Sequence, residues 1–169
     1  MKFKFIIIFF IIFISKNLYS DETSEWLKRE IDIILEAYKN ENLSNENRFL
    51  LVEKTINDNC AGTGIDKFVA GEAWKKSDKN TKKIYIDNFK RHLALNIASM
   101  MQGYSDQTYE LTKSKYDQKN QVTLIDMEIF SDTGSVVVTW RVKESKDKFF
   151  VIDLIVDDIS LVVTQRSEF

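Results

Sequence analysis

Residues 149–169 read FFVIDLIVDDISLVVTQRSEF. A strand with one wet face alternates apolar and polar residues, and this stretch does not. By simple alternation Phe149, Val151 and Ile155 take one face, while Phe150, Ile152, Leu154 and Val156 take the other. Both faces therefore need cover. Asp153 stands among apolar neighbours and, once covered, needs a donor: a backbone amide or Arg166 is the structural expectation. The pattern predicts a strand over Phe149–Val156, continued by Ile159–Gln165 after a bend at Asp157-Asp158.

Upstream, Val122–Phe130 and Ser135–Val142 read as strands joined by Ser131-Asp132-Thr133-Gly134, a hairpin signal. Gln107–Lys115 is a weaker strand signal, and Lys146-Asp147-Lys148 turns the chain into Phe149. Connections this short make the sheet antiparallel. Before Gly103 the period is helical. Leu27, Ile31, Ile34, Leu35 and Tyr38 share one stripe over Ser24–Asn40, and Phe49, Val52 and Ile56 another over Ser44–Asn57. A short helix over Ile65–Trp74 follows the break at Cys60–Gly64. Over Asp78–Gln102, Tyr85, Phe89, Leu93, Ile97 and Met101 recur every four residues. That stripe winds slowly round its helix, as suits one wrapping a curved sheet. Helices followed by strands predict α+β: N-terminal helices packed on a curved C-terminal antiparallel sheet.

The first twenty residues, MKFKFIIIFFIIFISKNLYS, have the layout of a secretory signal peptide. Lys2 and Lys4 precede the apolar run Phe5–Ile14, and a more polar stretch ends on Ser20, the expected cleavage point. The run is shorter than the roughly 20 residues a membrane-spanning helix needs. One domain, 21–169, is expected to remain. Losing the leader's three lysines takes the net charge from −2 to −5, which argues against a nucleic-acid partner. The single cysteine, Cys60, excludes an internal disulfide framework and reads as a half-buried apolar residue. His92, the only histidine, lacks a second ligand at metal spacing, so no metal is expected and the side chain reads as surface. Ser160 has no His-Asp pairing around it, so no nucleophilic triad is expected. The catalytic alternative is Asp153 as general base at the floor of a cavity, as in small cone-shaped α+β isomerases.

Apolar surface is abundant. Val136, Val138, Trp140 and Val142 alternate along one strand and Ile125, Met127 and Ile129 along another. Such stripes ordinarily form core. They also suit a cavity for an apolar ligand between helices and sheet.

The C-terminal stretch resembles the signature of the MlaC family, the toluene-tolerance auxiliary proteins. Phe149, Val151, Asp153, Val156, Ile159, Ser160, Leu161, Arg166, Ser167 and Phe169 carry the resemblance. Gly71, Trp74, Tyr85 and Phe89 extend it through FVAGEAWKKSDKNTKKIYIDNFKRHL, and Tyr104 after the long helix fits as well. The chain departs from the pattern at Asp158, where the family has Gly, and at Gln165, where it has an aromatic. The family usually continues with a helix beyond the position of Phe169, so a truncated domain or a missing lid is the expectation there.

The resemblance implies a cone-shaped, NTF2-like fold enclosing an apolar cavity. It implies a periplasmic phospholipid carrier without enzymatic activity or cofactor, auxiliary to an ABC transport system and serving outer-membrane lipid asymmetry. Its partners would be an outer-membrane lipoprotein–porin complex and an inner-membrane ABC transporter with its substrate-binding ring. The expected cavity walls are Phe68, Phe89, Leu93, Ile97, Met101, Val138, Trp140, Ile152 and Leu154, with Asp153 and Arg166 as a structural pair. The headgroup is expected in water at the mouth, with weak selectivity. The competing readings are the Asp153 enzyme and a lipid-free interaction module.

Overall fold

The computed structural model describes residues 22–60, 62–104 and 107–168. The leader expected at 1–20 lies outside them. In chain order the helices are α1 (Glu22–Lys39), α2 (Asn45–Asn59), α3 (Gly62–Lys76) and α4 (Lys79–Met101). The strands β1 (Thr108–Asp117), β2 (Val122–Ser131), β3 (Gly134–Ser145), β4 (Lys148–Val156) and β5 (Ile159–Ser160) follow, and α5 (Leu161–Glu168) closes the chain. The strands form one antiparallel, curved and unclosed sheet in the order β1-β2-β3-β4-β5. This is the expected α+β arrangement.

Local chemistry sets the helix ends. Ser44 Oγ accepts from the Asn47 amide at the start of α2. Asp78 accepts from the Asn80 and Thr81 amides at the start of α4. Each cap satisfies amide groups that the helix cannot pair internally. Within α3 the helical path breaks at Gly71, where φ is 53° and ψ −123°. The break lets Trp74 meet Tyr85 edge-on at 6.4 Å, and Tyr85 stacks on Phe89 at 5.8 Å. The Gly-x-x-Trp segment is thus a bend that seats an aromatic chain on α4.

Three apolar clusters hold the layers. Leu27 and Ile31 of α1 bury against Ile125, Met127, Val138 and Val142 on one face of the sheet. Trp26 meets Phe149 with ring centroids 5.6 Å apart. Val52, Ile56 and Ala94 join α2 to α4. Ile65, Val69 and Phe89 join α3 to α4, with Val162 of α5 against them. Fully burying a side chain such as Leu27 stabilises by about 1.5–3 kcal/mol before cavity effects are added.

Two expectations fail, each for a physical reason. The first concerns alternation in β4. Arg141 pairs with Asp153 and the next residue, Val142, pairs with Val151, so Ile152 is an extra residue in a β-bulge. Phe149, Val151, Leu154 and Val156 all pack on the α1 side. Phe150, Ile152 and Asp153 line the opposite side. Simple parity had grouped Leu154 and Val156 with Phe150 and Ile152.

The second concerns Ile159–Gln165. Only Ile159 and Ser160 pair with β4, and the chain is helical from Leu161. Asp157 and Asp158 both have left-handed φ, 49° and 63°, which makes a tight two-residue reversal. Asp158 is the position where the family pattern has Gly. Aspartate is among the few other residues that enter this region readily. Ser160 then caps α5: its Oγ accepts from the Val163 amide at 3.1 Å. Capping outweighs the strand propensity of Val162, Val163 and Thr164.

A Cβ at Gly71 would meet only Arg166 Nη2, at 3.8 Å, so space does not forbid alanine there. The backbone does, because the left-handed φ of 53° is costly for a residue with a side chain. Gly71→Ala should lower unfolding stability by about 1–3 kcal/mol, read as a lower urea midpoint with an unchanged slope.

Candidate functional site

The bulge, α3 and α5 together enclose a cleft of about 610 Å³. Gly64, Ile65 and Phe68 of α3 form one wall, and Ser160, Val162 and Val163 form another. The floor is sheet: Phe150, Ile152 and Asp153 from β4, and Arg141, Lys143 and Ser145 from β3. The intervening Val142 is buried on the other face. One strand of the floor is therefore mostly apolar and the next is polar.

Asp153 is 4% exposed and fully engaged. It accepts from Ser160 Oγ at 2.7 Å, from the Leu154 amide at 2.9 Å and from the Val162 amide at 3.2 Å. Arg141 Nη1 lies 3.4 Å away and completes the set. The expected Asp153–Arg166 pair does not form. Arg141 reaches Asp153 because the two are cross-strand partners at the bulge. Arg166 stacks its guanidinium 4.6 Å from the Phe68 ring centroid, on the α3–α5 wall.

Of the nine expected wall residues, the cleft brings together Phe68 and Ile152. Phe89 and Leu93 pack behind the α3 wall. Ile97 packs beside Leu93 in the α2–α4 cluster, and Met101 is half-buried at the end of α4. Val138, Trp140 and Leu154 lie across the sheet, against α1. Sequence reasoning missed Ile65, Phe150, Val162 and Val163. Phe150 shares parity with Ile152 and could have been found, whereas the valines were hidden by the strand reading.

Asp66, also unforeseen, lies on α3 beside the wall residue Ile65. It is 1% exposed, and its Oδ2 has no hydrogen-bond partner among the described residues. Burial pushes its carboxyl up to about 7, and the Lys90 ammonium opposes the shift. The Tyr85 hydroxyl is likewise unpartnered among the described residues, and burial together with Asp66 raises its pKa. Burial pushes the Cys60 thiol up to about 12, which disfavours the nucleophilic thiolate. His92 is exposed, 3.0 Å from Asn96 Nδ2. Among the described residues no group of three or more His, Cys, Asp or Glu could hold a metal ion. No described helix is long and apolar enough to cross a membrane.

Comparison with known proteins adds a family. The sequence profile described as MlaC protein matches residues 28–169. No curated protein matches the chain. Among solved structures, the phospholipid-binding protein from Ralstonia solanacearum, in complex with a phospholipid, superposes with a TM-score of 0.73. It is 18% identical, and the match covers 85% of this chain and 82% of that one. At this identity the likeness is one of fold.

Asp66 makes stability depend on pH. Its pKa is about 7 in the fold and near 3.8 when exposed. Below about 4 it is protonated in both states. Between these values the unfolded chain gives up the proton first, so this group's contribution to stability falls as pH rises, and levels off above about 7. The melting temperature of Asp66→Asn, relative to the parent, should therefore rise from pH 4 to pH 8. A constant difference would contradict the assignment.

Proposed function

The chain belongs to the MlaC family, and we propose that it is a periplasmic phospholipid carrier whose cleft at the β4 bulge receives acyl tails. The observation that carries this reading is the cleft itself: Ile65, Phe68, Phe150, Ile152, Val162 and Val163 offer apolar surface between sheet and helices. Its volume falls in the range of about 300–1,000 Å³ usual for ligand pockets. The Ralstonia protein of the same fold holds a phospholipid, which supports the assignment of cargo.

The physical need is large. Each buried methylene is worth about 0.8 kcal/mol, so two tails of roughly thirty methylenes cost on the order of 25 kcal/mol to expose to water. A carrier crosses an aqueous gap by replacing the bilayer with a pocket. Phe68 and Ile152 contact the tails directly, and Phe89 and Leu93 back them from α4. Longer tails would part helix from sheet toward Ile97, Met101, Val138, Trp140 and Leu154. No bond is made or broken, so no cofactor is required. Asp153 supports a carrier over an enzyme, because hydrogen bonds to α5, β5 and β4 and the contact with Arg141 already engage its carboxylate. The leader-like first twenty residues support export. By family, the route runs between an outer-membrane lipoprotein–porin complex and an inner-membrane ABC transporter with its substrate-binding ring.

The protein purified from its host without detergent should carry phospholipid in its native mass spectrum. A folded protein with an empty cleft would overturn the reading. The double variant Phe150→Ser, Ile152→Ser should bind at least about tenfold less lipid, since each side chain supplies more than the roughly 1.4 kcal/mol that a tenfold change requires.

A further inference from the structure

The polar strand of the cleft floor has no role in holding tails. Arg141, Lys143 and Ser145 project from alternate positions of β3, about 7 Å apart at each step, so their donors run along the cleft. Lys148 stands directly across the strand pair from Ser145 and adds a further cation at that end. The acidic neighbour Glu144 pairs with Phe149, whose ring packs on the opposite face against Trp26.

The charges of this floor are unequal. Among the described residues Asp153 is the only acid that lines the cleft, and it lies against Arg141. The contact, at 3.4 Å, engages only Nη1 of the guanidinium and leaves its other donors available. Lys143 is exposed and makes no hydrogen bond or ion pair among the described residues. The described lining residues therefore carry a net charge of +1 in a chain whose net charge is −2.

Resting on the carrier reading, we propose that Lys143, with Arg141 and Ser145 beside it, binds the phosphodiester of the cargo and favours monoanionic phospholipids over zwitterionic ones. A single phosphodiester balances the +1 lining. A zwitterionic headgroup brings the same phosphate together with an ammonium, and Lys143 and Lys148 repel that ammonium. The phosphate sits at the β3 side of the mouth, with tails directed across β4 toward Phe68 and Val163. Because Lys143 is exposed, the discrimination is modest, about two- to five-fold, as for other solvent-exposed ion pairs.

The test loads the whole protein from vesicles holding equal amounts of phosphatidylglycerol and phosphatidylcholine with identical acyl chains. Native mass spectrometry then counts each bound lipid. The parent protein should be enriched about two- to five-fold in phosphatidylglycerol at low salt. Lys143→Gln should bring the ratio close to one, and Lys143→Arg should keep the enrichment. Equal occupancy in the parent, or an enrichment that survives Lys143→Gln, overturns the headgroup assignment while leaving the carrier reading intact. A folded parent protein that takes up neither lipid overturns both.

Discussion

The arrangement of the C-terminal half depends on one buried carboxylate. Asp153 sits at the bulge where β3 and β4 fall out of step. From there it accepts from Ser160 of β5, from the Val162 amide in the first turn of α5 and from its neighbour's amide, and it faces Arg141 of β3. Hydrogen bonds to a charged group contribute about 1.5–3 kcal/mol each and cost more when left unmade. Bulge, reversal and helix are therefore mutually dependent. Without the bulge, Asp153 would point toward the apolar cluster under α1. Without β5 and α5, its oxygens would lose two of their donors.

The same bulge explains why β4 is apolar on both faces. One face is ordinary core: Phe149, Val151, Leu154 and Val156 pack with Leu27 and Ile31 of α1. The other meets α3 and α5 across the cleft, where Phe150 and Ile152 keep a partly exposed apolar surface. The sheet thus separates a closed side, which supplies stability, from an open side, which is free to take a ligand. The Gly71 bend and the Trp74–Tyr85–Phe89 chain fix α3 against α4, and so fix the wall opposite the sheet.

The legible features were those written in long periodic patterns or in short turn signals. The α1 stripe from Leu27 to Tyr38 and the two-residue reversal after Ser131 both hold in the structure. What was not legible depends on pairing across strands. Nothing within β4 marks Ile152 as an extra residue; the shift exists only relative to β3. One unmarked bulge is enough to move Leu154 from the cleft side to the α1 side. Leu161–Glu168 misled for a different reason. Val162, Val163 and Thr164 favour strand, and the caps that override them come from Ser160 and from Asp153 nine residues upstream of the amide it receives. Arg166 was a reasonable partner for Asp153 by charge, but α5 carries it to the Phe68 ring.

The composition of the cleft also bears on how a carrier releases its cargo. Tail burial is worth nearly as much in a bilayer as in a pocket, so transfer between them needs only a small net free energy. Here the apolar contacts come from β4, α3 and α5, while β3 contributes charge and hydroxyl groups. That strand limits the tail-binding surface and keeps one side wet. On the proposed reading, it also places cations where a phosphate would lie as the lipid enters or leaves. Exposed ion pairs of this kind are weak and reversible, so the polar strand can orient a headgroup without trapping it, while the tails supply the affinity.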